Sequence, residues 1–77
     1  MEDKIKSGQI YKHYKGDTYK VLTLAKHSET GEWMVIYERL TNIIHQGWKI
    51  YARPLDMFIE NVDVEGYNGP RFTLIEE

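Results

Sequence analysis

Three histidines, His13, His27 and His45, are the side chains of this sequence best suited to bind a metal ion. Zinc sites usually draw their ligands from closely spaced pairs, such as two histidines one helical turn apart. The three histidines show neither that spacing nor an alternating HxH pattern, and the sequence contains no cysteine. We therefore predict no bound metal and no cofactor.

The segment from His27 to Thr30 is the best candidate for catalysis. Ser28 could act as a nucleophile, and Glu29 beside His27 could form an acid–base pair. Adjacent strand residues point to opposite faces, so His27 does not face Ser28 for proton transfer. A turn held by its own side chains explains the segment better, and we predict no catalytic residue. A small hydrolase that uses His27 and Glu29 stays the minor alternative.

Aromatic and cationic side chains alternate along the chain, a combination that suits ligand recognition. There are six tyrosines, two tryptophans and two phenylalanines among 77 residues. Aromatic rings stack on planar groups, and guanidinium groups pair with anions. The predicted ligand-binding residues are His13, Tyr19, His27, Trp33, Tyr37, Arg39 and Arg53.

Length and charge narrow the class of protein. We predict a single domain over residues 1–77, with residues 1–7 as a flexible N-terminal segment. The net charge of −2 conceals a basic segment and an acidic one. Residues 4–28 hold six lysines and one aspartate, net +5, and residues 56–77 hold six acids and one arginine, net −5. These segments either form two oppositely charged faces or fold together and cancel.

The absence of long apolar runs and of cysteine predicts the cellular compartment of the protein. No run of about 18 apolar residues is present, so we predict no membrane association. The charged first residues do not resemble a secretory signal. A small domain without cysteine suits a reducing compartment, and we predict a cytoplasmic location.

The chain is rich in β-branched and aromatic residues, which predicts an all-β fold. Pro54 fits the first position of a helical turn, and we expect Leu55, Phe58 and Ile59 to plug one end of the sheet. Two glycines and a proline predict an exposed loop over 65–70. The predicted strands cover residues 10–14, 18–27, 33–40, 48–53 and 71–75, and the short helical turn covers Pro54–Phe58. A further loop is predicted over Thr41–Gly47.

Gly31 predicts a three-residue hairpin loop with a bulge, in which Ser28 lies opposite Glu32. This register sorts the hairpin side chains into two faces. The face predicted as the core carries Leu22, Leu24, Met34, Ile36 and Leu40. The other face, predicted as a recognition surface, carries Tyr19, Val21, Thr23, Ala25, His27, Trp33, Val35, Tyr37 and Arg39. A second packing layer is the open alternative for that face.

Arg53 and Arg71 each adjoin a proline, in Arg53-Pro54 and Pro70-Arg71. We expect both guanidinium groups to donate to carbonyls that the turns leave unpaired. An anion clamp is the alternative, because a guanidinium binds carboxylate or phosphate in a bidentate manner.

A series of ordered motifs runs along the chain. They are GxIYxHYKG at 8–16, YxV at 19–21, AxHSET at 25–30, VxY at 35–37, RPLxMF at 53–58 and RF at 71–72. The series resembles domain-of-unknown-function family 1653, a group of short bacterial and phage proteins. The resemblance implies a small five-stranded SH3-like barrel, and it implies no reaction.

We therefore predict a binding module rather than an enzyme. Its partner would be a protein, a peptide or a small molecule, because aromatic-lined grooves of SH3-like barrels accept extended peptides. The alternative is a module for single-stranded nucleic acid or nucleotides, which small barrels bind with a cationic groove and stacking aromatic rings. The negative net charge argues against that alternative.

Overall fold

The computed structural model describes residues 5–41 and 49–77. Strands dominate these residues, and the predicted all-β character is confirmed, as is the short helix after Arg53. The elements are β1 Ile10–His13, β2 Thr18–Lys26, β3 Trp33–Arg39, β4 Ile50–Pro54, α1 Leu55–Phe58, β5 Asn61–Val64, β6 Tyr67–Pro70 and β7 Phe72–Glu76. Predictions for the first four residues and for 42–48, including His45 and most of the loop before β4, lie outside the described residues.

Five strands form one antiparallel sheet in the order β4-β3-β2-β1-β7. β1 lies between β2 and β7, and it pairs with both in antiparallel orientation. The basic segment 4–28 contains β1, and the acidic segment 56–77 contains β7. Their pairing shows that the two charged segments fold against each other.

β5 and β6 form a separate two-stranded hairpin. The prediction of an irregular loop over 65–70 is wrong, since β6 occupies most of it. Val64 pairs with Tyr67, so only Glu65 and Gly66 connect the strands. Gly66 has φ +86°, a conformation that glycine adopts without strain and that two-residue hairpin turns require.

The β2–β3 hairpin closes one residue earlier than predicted. The His27 N–H donates to the Glu32 carbonyl at 2.8 Å, so the loop contains four residues rather than three. The predicted pairing of Ser28 with Glu32 is therefore wrong. Gly31 does have the expected left-handed conformation, with φ +76°.

A β-bulge in β2 shifts the register a second time, between Val21 and Thr23. Leu22 is the extra residue at this point. Each one-residue shift changes which residues share a face, and beyond the bulge the two shifts add up to two residues, which restores the predicted faces. The predicted grouping is therefore kept for Val21 and its partner Tyr37, whereas Leu24 between the turn and the bulge changes face.

The core lies on the face that carries the tyrosines, opposite to the predicted core face. Val21 and Val35 are 1% and 0% exposed, and Tyr19 and Tyr37 are also buried. The predicted core of Leu22, Leu24, Met34, Ile36 and Leu40 is therefore wrong, and of this set Leu24 alone packs against the observed core.

Helix α1 and strand β7 explain why the tyrosine face is covered. Phe58 of α1 stacks on Phe72 of β7 with ring centroids 4.2 Å apart, and both rings are buried. Phe58 also meets the Tyr37 ring at 5.4 Å in an edge contact. The expected plug is confirmed, since Leu55 is buried as well and Ile59 packs against the core.

The N-terminal end of the described chain also joins the core. Ile5 is buried, and the buried Gln9 side chain holds the turn that follows it. Gln9 Oε1 accepts hydrogen bonds from the Tyr11 hydroxyl at 3.0 Å and from the Lys6 N–H at 2.8 Å. The single-domain prediction itself stays a prediction. No helix within residues 5–41 and 49–77 is long and apolar enough to span a membrane.

Candidate functional site

One cavity of about 210 Å³ opens at the edge of the tyrosine face. Its lining combines aromatic rings with two guanidinium groups and contains no carboxylate. We call it the aromatic pocket, and its lining residues are His13, Tyr19, Tyr37, Arg39, Tyr51, Arg53 and Phe72. All five strands of the larger sheet contribute to it.

The register of the sheet brings these residues together in cross-strand pairs. Tyr19 of β2 lies opposite Arg39 of β3, and Tyr37 of β3 lies opposite Tyr51 of β4. His13 of β1 lies opposite Phe72 of β7. Directly opposed residues have side chains on the same face, so strand pairing alone assembles most of the pocket.

The pocket walls are aromatic rings that brace one another. The Tyr19 ring meets the Tyr37 ring edge-on at 5.3 Å, with an interplanar angle of 81°. It also meets the Phe72 ring at 5.7 Å and 80°. Edge-to-face contacts of this kind favour a fixed geometry, so the walls are held in place without a ligand.

Arg39 is one of the two cations of the pocket, and a neighbouring acid balances its charge. Its Nη1 lies 3.3 Å from Asp17 Oδ2. The guanidinium also lies over the Tyr19 ring, 5.6 Å from the centroid. Although burial opposes its charge, the nearby Tyr19 and Asp17 side chains raise the pKa of Arg39, so it stays protonated. Its Nε is buried and has no hydrogen-bond partner among the described residues.

Arg53 is the second cation, and no carboxylate of the described residues pairs with it. Its Nε donates a hydrogen bond to the Tyr37 hydroxyl at 3.2 Å. The guanidinium carbon lies 5.9 Å from the centroid of the Phe72 ring. Arg53 is half-buried, and its terminal Nη groups donate to no described residue. Its positive charge in the pocket therefore has no anionic partner within residues 5–41 and 49–77.

His13 lies between these cations and the β1 turn. Its Nδ1 accepts a hydrogen bond from the Lys15 N–H at 3.1 Å, which leaves Nε2 to carry the ring proton. Burial lowers the pKa of His13, and the positive charges of Arg53, Arg71 and Lys15 lower it further. The ring is therefore neutral near pH 7 and presents an N–H donor.

His27 and Trp33 lie outside the aromatic pocket, near the tip of the β2–β3 hairpin. His27 Nδ1 accepts hydrogen bonds from the Glu29 N–H at 3.1 Å and the Thr30 N–H at 3.3 Å. The Trp33 ring packs under Lys26, whose Nζ is 4.7 Å from the ring centroid. The structure thus gives both side chains contacts that stabilise the hairpin.

The expected bonds from Arg53 and Arg71 to turn carbonyls are wrong within the described residues. Arg53 donates to the Tyr37 hydroxyl instead. Arg71 Nη2 donates to Glu60 Oε2 at 2.6 Å. Because the backbone amide of Arg71 already reaches the Glu60 carbonyl, this ion pair ties β7 to the segment after α1. The two arginines therefore differ, since in the described part of the chain Arg71 has an anionic partner and Arg53 has none.

Comparison with known proteins agrees with the motif series. Residues 9–74 match the family described as "Protein of unknown function (DUF1653)". The chain belongs to this family. A crystal structure of a DUF1653 protein from Bordetella bronchiseptica is similar, with 36% identity and a TM-score of 0.84. The match covers 99% of this chain and 94% of that one. No curated protein matches the chain.

In this DUF1653 protein, Tyr51 and Phe72 complete the pocket but are absent from the predicted ligand-binding set. Tyr51 precedes Arg53 by two residues in β4, so alternation places both on one face. Phe72 could be found only through its pairing with His13, which joins distant parts of the chain. Among residues 5–41 and 49–77, no three metal-binding side chains come together.

Proposed function

We propose that this protein is a recognition module whose aromatic pocket binds an anionic group of a protein, peptide or small ligand. The observation that carries the proposal is Arg53, a half-buried guanidinium without an anionic partner among the described residues. Charged groups removed from water are normally paired, so an unpaired one in a cavity is a functional candidate.

Two other features of the pocket support an anion as the ligand. Arg39 Nε is a buried donor without a partner among the described residues, a situation that is uncommon in folded proteins. The neutral His13 ring, whose proton is on Nε2, also lines this cavity. A ligand rich in acceptor atoms would satisfy groups that the protein itself leaves unsatisfied.

We also propose that the larger sheet curls into an SH3-like barrel. Its strand order, β4-β3-β2-β1-β7, follows a meander whose last strand returns beside the first. The short helix α1 lies between the fourth strand and the returning part of the chain, and it packs over the core. The bulge in β2 adds the bend that small curled sheets need.

The alternative ligand, single-stranded nucleic acid, has less support. Base stacking requires open aromatic faces beside free cations. Here Lys26 lies on Trp33, and Lys15 Nζ lies 5.9 Å from the centroid of the Tyr14 ring. These cations and rings already contact each other.

The cytoplasmic location is kept as a proposal, supported by the cysteine-free composition.

The proposal predicts that small aromatic anions bind in the pocket. The probes are benzoate and phenyl phosphate, titrated into ¹⁵N-labelled full-length protein and followed by amide chemical shifts. We expect saturable shifts around β3 and β4 that are lost in Arg53→Gln. The proposal is contradicted if neither anion causes saturable shifts, or if Arg53→Gln binds the anions as tightly as the wild-type protein.

Lys12→Gln is the matched control for a lost positive charge. Lys12 is exposed on β1 and lies outside the lining. It should leave both titrations unchanged, because an exposed charge is largely screened at ordinary salt.

A further inference from the structure

Within residues 5–41 and 49–77, one cation among the pocket-lining residues has no carboxylate partner. Asp17 pairs with Arg39 at 3.3 Å, and Glu60 pairs with Arg71 at 2.6 Å. His13 is neutral near pH 7. Arg53 therefore supplies the single uncompensated positive charge among the lining residues. One added negative charge balances the site, whereas two would leave a partly desolvated anion unpaired.

The free donors of Arg53 select the shape of the anion. Its Nε–H is already used by the Tyr37 hydroxyl. The side-on edge of the guanidinium, formed by Nε and one Nη, is thus partly occupied. The end-on edge, formed by the two Nη groups, stays available. Two parallel N–H donors on this edge match the two oxygens of a planar carboxylate.

The Tyr37 hydroxyl adds a further donor at the same place. Its oxygen accepts the bond from Arg53, so its own hydrogen can be donated to a ligand oxygen. The lining includes no Asp, Glu, Asn or Gln, and its charged side chains are two arginines, which only donate hydrogen bonds. The pocket therefore favours a ligand group that accepts hydrogen bonds.

The size of the pocket limits the rest of the ligand. The pocket has a volume of about 210 Å³. Pockets for drug-sized ligands are larger, about 300–1,000 Å³. The pocket therefore fits one functional group and a small attached ring, and the rest of a larger ligand would lie outside it. Aromatic walls favour a flat, apolar attachment.

Building on the proposed function, we propose that the bound group is a monoanionic carboxylate on a small planar apolar body, held end-on by Arg53 and preferred over a phosphate. The donor is a free aromatic or unsaturated carboxylic acid, or the C-terminal carboxylate of a peptide that ends in an aromatic residue. Both sources present the same chemistry to the pocket.

The test compares three probes that share one ring and differ in the head group. Benzoate carries one negative charge, benzamide carries none, and phenyl phosphate is close to dianionic at about pH 7.5, because its second pKa is about 6. We expect benzoate to bind at least about tenfold more tightly than either other probe, as one charge-assisted bond implies.

Each outcome of this comparison separates the two proposals. Equal or tighter binding of phenyl phosphate overturns the carboxylate preference but leaves an anion-binding module. If benzamide binds as tightly as benzoate, the pocket does not distinguish an anion from a neutral group, and both proposals are overturned. Absence of binding by all three probes overturns the proposed function, and with it the inference.

Two variants at position 53 test the end-on pairing. Arg53→Lys keeps the charge but loses the paired donors, so benzoate should weaken about tenfold while its advantage over phenyl phosphate shrinks. Arg53→Gln should weaken benzoate at least as much. Thermal unfolding and the dispersion of the amide spectrum show whether each variant is folded. A folded Arg53→Lys variant with unchanged benzoate affinity would contradict end-on pairing.

The two sources are separated with a matched pair of peptides. A short peptide ending in phenylalanine is titrated with a free C-terminal carboxylate and with a C-terminal amide. If a peptide C-terminus is the natural ligand, the peptide acid binds more tightly than benzoate and the peptide amide does not bind. If a small carboxylic acid is the natural ligand, benzoate binds at least as tightly as the peptide acid. A peptide amide that binds as well as the peptide acid contradicts carboxylate recognition.

Discussion

At the scale of single residues, the histidines show how much a sequence can and cannot predict about a site. His13 and His27 look alike in the sequence, since each shortly precedes a glycine-containing turn, and in the structure each accepts a backbone N–H at Nδ1. Only His13 lines the aromatic pocket. The difference arises because β1 is paired on both sides by β2 and β7, whereas His27 lies at the far end of a two-stranded hairpin. No local pattern around either histidine contains that information.

His13 should make folding stability depend on pH. Burial and the charges of Arg53, Arg71 and Lys15 lower its folded pKa, whereas Asp17 raises it by less. The unfolded chain, with a histidine pKa of about 6.5, therefore takes up the proton first. Stability should be constant above that pH and should fall as the pH falls towards the folded pKa.

The matched variant is His13→Asn, because the asparagine oxygen can accept the same Lys15 N–H. Urea unfolding of both proteins is measured from about pH 7.5 to about pH 5. The wild-type protein should lose more stability than the variant across this range. Parallel curves would show that His13 does not carry the dependence, since the other histidines are common to both proteins.

Gln9 provides a second residue-scale prediction. Its Oε1 accepts two buried or half-buried donors, from Tyr11 and Lys6. Gln9→Leu leaves both donors unpaired and should cost about 1–3 kcal/mol in urea unfolding. Tyr11→Phe removes one donor while the Lys6 N–H still satisfies the glutamine, and should cost less. A larger loss for Tyr11→Phe than for Gln9→Leu would contradict this account of the N-terminal turn.

At the scale of elements, local signals predict the strands well and their pairing poorly. The β-rich segments and the helix after Arg53 follow from residue type and from Pro54. The hairpin register depends on two further features, a four-residue loop and the bulge at Leu22. Neither the loop length nor the bulge can be predicted from the alternation of apolar and polar residues along β2 and β3. The core face is also decided elsewhere, because Phe58 and Phe72 arrive from distant elements to cover the tyrosines.

The His27 ring should stabilise the four-residue loop without affecting the pocket. His27→Ala removes the acceptor for the Glu29 and Thr30 amides, both of which are exposed to water. The expected cost is about 0.5–1.5 kcal/mol. His27→Asn, which can accept a turn amide, should recover part of it. Benzoate affinity should be the same in all three proteins, and a change in His27→Ala would place the hairpin tip at the ligand.

At the scale of the whole molecule, the pocket is built on the core instead of beside it. Phe72 lines the pocket and also stacks on Phe58 at 4.2 Å in the core. The pairing of β1 with β7 places Phe72 at the edge of the larger sheet, and it joins the basic and acidic segments of the chain. The tyrosine face thus serves as a packing surface and as a pocket wall. The packing layer that the sequence left open is confirmed for Val21, Val35 and Tyr37, whereas recognition by this face stays a proposal.

This dual role predicts how the protein responds to substitutions in β7. Phe72→Ala should cost about 3–5 kcal/mol, a large share of the roughly 4–12 kcal/mol expected for a 77-residue domain. Ile75→Thr on the same strand keeps a β-branched side chain at a position that is 53% exposed, and should change stability by less than about 0.5 kcal/mol. Similar losses for the two variants in urea unfolding would contradict the assignment of Phe72 to the core.

Anion binding at Arg53 can be observed directly in a ¹⁵N–¹H spectrum of the arginine side chains during a benzoate titration. We expect the Arg53 Nη–H signals to shift and saturate, because these groups would contact the carboxylate and Arg53 has no anionic partner among the described residues. The Arg71 signal should stay in place, since its guanidinium is already paired with Glu60. A spectrum in which Arg53 does not respond, or in which Arg71 responds as strongly, would contradict the account.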